Sequence, residues 1–163
     1  MKQTILKPPP VLDSARVLEY AVLDDSVGFS GRTLLFVDGK ELGPAPCLAI
    51  CQNLKATEVL LFHCDSDWTV LGAGFYAAVS EAKKRAERIY PGISACWIDA
   101  HVTEDAAARW LDEMWGDQRC GFCGRRPDEV AQLFGRGATH ICDSCVAEFH
   151  KALQADLGGA GKG

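Results

Sequence analysis

The chain has 163 residues, of which 48% are hydrophobic and 24% charged, and its formal net charge is -5. That composition excludes a disordered polyelectrolyte, and the acidic total disfavours a protein that grips nucleic acid through a basic face. No apolar run approaches the ~20 residues needed to span a membrane.

The amino end, MKQTILKPPPVLDSARV, carries lysines but no apolar core of signal-peptide length. Pro8-Pro9-Pro10 cannot join a helix, so residues 1–13 are expected to form an extended lead-in. Arg16 to Leu23 reads as a strand, with Val17, Tyr20 and Val22 among its strand formers. Thr33 to Val37 reads as a second strand. Asp38-Gly39 then signals a hairpin, with a short return over Lys40 to Leu42 that Gly43-Pro44 ends. Pro46 to Leu54 fits a short helix or a buried strand, and the helix is preferred. Thr57 to Cys64 is a strand, Asp65-Ser66-Asp67 a turn, and Trp68 to Leu71 the returning strand.

Gly72-Ala73-Gly74 is expected to break the sheet. It precedes a helix, so a phosphate site there is conceivable, but the dinucleotide fingerprint is incomplete and a bend is preferred. Tyr76 to Tyr90 is an amphipathic helix. Val79, Ala82, Ala86 and Ile89 lie on one face, and Pro91-Gly92 stops it. Ala95 to Val102 reads as a strand. Thr103 can cap the following helix, whose apolar face is Trp110, Leu111 and Met114. This order predicts an α+β domain over residues 14–115, with a mainly antiparallel sheet covered by helices. The four tryptophans, Trp68, Trp97, Trp110 and Trp115, are expected mostly in the core, with Trp115 beside the linker.

Residues 119–157 contain the strongest signal. Cys120-x-x-Cys123 and Cys142-x-x-Cys145 are two close pairs whose separation belongs to the spacing class of structural zinc sites. Four thiolates satisfy one tetrahedral ion, and each x-x loop lets two sulfurs reach one metal. The second pair opens an apparent helix, with Val146, Phe149, Leu153 and Leu157 at helical spacing. A helix N-terminus favours thiolate, which suits Cys142 and Cys145 as ligands. Core thiols, two disulfides or a redox pair are the competing readings. Four closed sulfur ligands favour zinc over iron. His140 and His150 flank the metal pair, but four cysteines already fill the tetrahedron. The Gly-rich tail, residues 158–163, is expected to be mobile.

This segment resembles the zinc-binding domain of the ClpX protease unfoldase. The resemblance rests on Cys120-Gly121-Phe122-Cys123-Gly124, on Asp128-Glu129-Val130 and on Ile141-Cys142-Asp143-Ser144-Cys145-Val146. It covers about the last quarter of the chain. It implies a treble-clef-like fold holding one zinc ion on Cys120, Cys123, Cys142 and Cys145. It also implies a module that self-associates, as in a homodimer, and binds substrates or adaptor proteins. In the unfoldase the domain comes first and an ATPase follows; here it comes last, with no G-x-x-x-x-G-K-[ST] phosphate loop. The motor is therefore not part of the expectation.

Three function classes follow. The preferred one is a non-enzymatic zinc protein of the cytoplasm that binds other proteins, as an adaptor in a quality-control setting, without contact to a membrane. The second is a nucleic-acid-binding regulator using a zinc ribbon. Arg119, Arg125, Arg126 and Arg136 could give it a local basic patch. The third is a small enzyme. Its site would lie near His63, Cys64, Asp65 and Asp67, or use Cys47 or Cys51 as nucleophile with His63 or His101 as base.

Overall fold

The computed structural model describes residues 7–33, 35–116, 118–136 and 139–159. The start of the expected lead-in and the end of the expected tail lie outside the described residues. The chain divides into two compact units, Met1–Leu111 and Asp112–Gly163.

The first unit is built on one antiparallel sheet. Its strands are β1 (Val11–Leu12), β2 (Ala15–Val22), β5 (Cys47–Asn53), β6 (Val59–Cys64) and β7 (Val70–Tyr76), which lie side by side in that order. A two-residue strand, β8 (Ile98–Asp99), also pairs with β2. The hairpin of β3 (Leu35–Val37) and β4 (Lys40–Leu42) forms a separate ribbon. The helices are α1 (Val79–Ile89) and α2 (Glu104–Trp115), the latter running past the end of the unit at Leu111. The expected α+β architecture, a mainly antiparallel sheet with helices, is the one observed.

Alternation along the strands sorts the core into two layers. Cys47, Ala49 and Cys51 join Leu60, Phe62, Cys64 and Trp68 on one side. Leu48, Ile50, Val59 and Leu61 join Ala82, Ala86 and Ile89 of α1 on the other. A register shift between Val17 and Glu19 reverses the parity of β2. Val17 and Tyr20 therefore share a layer although they are three residues apart. Tyr20 meets Trp68 edge to face, with ring centroids 5.6 Å apart. Of the other tryptophans, Trp97, Trp110 and Trp115 are half-buried, each with an indole nitrogen that lacks a partner among the described residues.

Three local expectations are corrected. The segment expected as a short helix is strand β5. It is central in the sheet, paired to β2 and β6, and its first five residues are buried. A strand buried on both faces needs apolar residues at every position, so its sequence loses the alternation that separates strand from helix. Gly72-Ala73-Gly74 does not break the sheet, because β7 runs through it to Tyr76. Gly72 answers to close packing instead: a Cβ there would lie 2.7 Å from Leu35 Cδ2. The strand expected over Ala95 to Val102 is reduced to β8, after a single 3-10 turn at Ile93–Ala95. Thr103 caps α2 as expected, its hydroxyl accepting from the Ala106 N–H at 3.1 Å.

The second unit contains a hairpin, β9 (Leu133–Arg136) and β10 (Thr139–Cys142), and the helix α3 (Asp143–Gly159).

Candidate metal centre

The first cysteine pair sits on a tight turn. Gly124 N–H donates to the Cys120 carbonyl at 2.9 Å, and Cys120 N–H donates to the Arg125 carbonyl at 2.9 Å. Gly124 adopts a φ of +74°, a left-handed conformation that costs a glycine little. The Gly121 N–H reaches the His140 carbonyl at 2.8 Å and ties this turn to the hairpin.

The second pair is placed by the junction of β10 and α3. Cys142 is the last residue of β10 and Cys145 lies in the first turn of α3. Asp143 holds that junction. Its carboxylate accepts from the Gln132 N–H at 3.1 Å, and its own N–H donates to the Gln132 carbonyl at 3.0 Å. A turn with two cysteines, a hairpin and a helix whose N-terminus brings two more is the treble-clef-like arrangement.

The four sulfurs converge. Their Sγ atoms all lie within 4.8 Å of one another. Cys123 Sγ and Cys142 Sγ are 3.6 Å apart. A tetrahedral ion with Zn–S bonds of about 2.3 Å separates its sulfurs by roughly 3.8 Å. Cys120, Cys142 and Cys145 are buried, and Cys123 is exposed. Val130, Leu133 and Ile141 pack against the cluster.

The electrostatics fit a cation. Cys142 N–H points at Cys120 Sγ (3.3 Å) and Cys145 N–H at Cys142 Sγ (3.4 Å), as donors to thiolate do. Burial works against ionisation of Cys120, but backbone N–H groups of Cys123, Cys142 and Phe122 hold its thiol down to about 6. Cys145 is pushed up to about 12 by desolvation and by the neighbouring thiols of Cys142, Cys123 and Cys120. Four sulfurs this close cannot all ionise unless a positive charge sits among them. The residues present therefore fit one zinc ion, which would replace a core that a unit this small cannot build.

Residues 118–155 match the sequence model of the ClpX C4-type zinc finger family. The match spans the turn, the hairpin and most of α3, and it leaves the sheet unit outside. No solved structure matches the chain.

Around the four cysteines, Asp112 bridges two arginines, Arg119 at 2.7 Å and Arg126 at 2.8 Å. Hydrogen bonds from Arg126 and then Arg119 hold its carboxyl below the usual range. Arg126 also pairs with Asp128 at 3.1 Å. Two of the four arginines considered for a basic patch are thus neutralised by acids. His140 turns its ring over Gly135 instead of toward the sulfurs, and its buried Nδ1 has no partner among the described residues. His150 is exposed on α3. Gly135 and Asp112 were invisible to motif reading, because neither belongs to the ligand pattern.

The buried residues considered for catalysis divide between the two core layers: Cys47, Cys51 and Cys64 share one, and His63 contacts Tyr90 of the other. Cys47 and Cys64 face each other across β5 and β6, both buried. Burial, then the charge of Asp65, pushes Cys47 up to about 11. Burial, then Cys47 and Asp65, pushes Cys64 up to about 12. Burial, then Cys64, likewise pushes Cys51 well above the usual thiol value. Such thiols are poor nucleophiles. Asp65 shapes its turn, accepting from the Asp67 and Thr69 N–H groups at 2.9 Å each. His101 is exposed and contacts Asp99 at 3.2 Å. His63 is buried in β6. No helix of the described residues is long and apolar enough to cross a membrane.

Proposed function

We propose that this chain is a non-enzymatic adaptor whose zinc finger binds other proteins, first of all a second copy of itself. One observation carries the reading. Beyond Cys145, α3 shows no buried residue over 146–158, yet it bears Val146, Phe149, Leu153 and Leu157 along one stripe. Phe122 of the cysteine turn extends that stripe, its ring 4.9 Å from Phe149 and itself 64% exposed. A helix that leaves four large apolar residues in water has a face suited to a partner. The match to the ClpX C4-type zinc finger supports protein binding and self-association, and it supports a setting in protein quality control. Eight unpaired cysteines suit a reducing compartment such as the cytoplasm.

In this reading zinc makes the platform rigid, and the stripe supplies the adhesion. Sedimentation of the zinc-loaded chain should show a dimer at micromolar concentration. The double substitution Phe149→Asp, Leu153→Asp should give a monomer with unchanged zinc content. A wild-type chain that stays monomeric across that range removes the self-association part of the reading. A chain that sediments as a dimer with both substitutions removes the stripe.

A further inference from the structure

The sheet unit holds a cleft of about 380 Å³ between β7, the β3–β4 hairpin and α1. Leu35, Leu71 and Ile89 give it apolar walls, and His63 and Arg85 bring polar groups to it. Its volume falls within the range of ligand sites, and its exposed lining is more polar than apolar.

The cleft is positive although the protein is acidic. No carboxylate is among its lining residues. Arg85 has no acidic partner among the described residues, and its one hydrogen bond is a long one, 3.5 Å, to the Arg32 carbonyl. An arginine left without an anion beside an open cleft is an available counterion.

His63 is set as a neutral donor. The Ala45 N–H donates to the Tyr90 hydroxyl oxygen at 3.0 Å. That hydroxyl lies 3.3 Å from His63 Nδ1, its remaining partner among the described residues. The tautomer with hydrogen on Nε2 lets the hydroxyl donate to Nδ1, and it is the one that leaves a ring N–H for a ligand. Burial, then the charge of Arg85, lowers the ring to about 4, so it stays uncharged near neutrality.

We propose that this cleft binds a small monocarboxylate with an apolar body, its carboxylate held by the Arg85 guanidinium and the His63 Nε2–H. One arginine and one neutral imidazole balance one negative charge. A phosphate dianion would need a second cation, and the lining supplies none among the described residues. The part-buried Leu71 and the half-exposed Phe36 give the rest of the ligand apolar contact. Gly72 keeps the floor low: a side chain there would collide with Leu35. This site is independent of the zinc finger and of the adaptor reading.

The test is a titration of the ¹⁵N-labelled full chain, loaded with zinc, with benzoate, phenylacetate and hexanoate. Benzamide and inorganic phosphate serve as controls. Saturable shifts should appear at the amides of Gly72, Ala73 and Gly74 and at the His63 ring. Ligands of this size should have dissociation constants in the millimolar range. Arg85→Gln should weaken binding about tenfold or more, and Arg85→Lys should fall between. Unshifted amides elsewhere in each variant's spectrum show that it is folded. The proposal is overturned if no carboxylate gives saturable shifts there, or if benzamide or phosphate binds as well. It is equally overturned if folded Arg85→Gln binds benzoate like the wild type.

Discussion

Cys120 Sγ lies 3.7 Å from Cys145 Sγ, although the two residues are twenty-five positions apart. That distance is the edge of a sulfur tetrahedron around zinc. Without a cation the same approach forces protons onto sulfurs that backbone donors are arranged to leave bare. Metal removal should therefore unfold the unit, since structural zinc in such modules contributes about 10 kcal/mol or more to folding. With a strong chelator, amides of residues 118–159 should lose hydrogen-exchange protection, while strands β5 and β6 keep theirs. Unchanged protection of β10 and α3 after proven metal loss would remove zinc from the folding argument.

Gly135 offers a test of the hairpin that touches no ligand. A Cβ there would meet the His140 ring at 2.2 Å and the Thr139 carbonyl oxygen at 2.6 Å. The ring could turn away, but the carbonyl belongs to the paired strand and cannot. Gly135→Ala should force β9 and β10 apart at the Gly135–His140 pair. Overpacking of this kind costs on the order of 1–3 kcal/mol. Because the His140 carbonyl anchors the Gly121 N–H, the first cysteine pair should be disturbed as well. Competition with a chromogenic chelator should show weaker zinc retention than wild type. Equal retention would mean that the hairpin relaxes without disturbing the ligands.

The metal centre was legible in the sequence because its information is local. Two C-x-x-C pairs state the ligands, and Asp143 and Gly124 sit beside them. The sheet was legible where alternation survives, as in β2, or where a short apolar run ends in a turn cluster, as in β6, and illegible in β5. Cys47 and Cys51 share a face either way, since positions four apart coincide in a helix and in a strand alike. Their common side therefore does not distinguish the helix that was preferred from the strand that is observed. Gly72 read as a breaker because its role, admitting Leu35, depends on a hairpin that begins thirty-seven residues earlier. The cleft escaped for the same reason: His63, Arg85 and Leu35 come from three distant elements, and no spacing rule joins them.

The His63–Tyr90 contact gives a prediction about pH. Burial is the larger cause, and Arg85 adds to it, of a folded-state value of about 4. An unperturbed histidine titrates near 6.5. Between these values the unfolded chain binds a proton that the folded chain refuses, so stability rises with pH across that window. The contribution is complete above about pH 6.5 and is lost as pH falls toward 4, with a span on the order of 3 kcal/mol. Thiolate protonation at the zinc site overlaps this range, so bulk denaturation would mix the two. The ring resonances of His63 separate them. They should hold the neutral pattern, with hydrogen on Nε2, from pH 8 to pH 5. A midpoint near 6.5 would show that the ring is solvated and that the Tyr90 hydroxyl does not fix its tautomer.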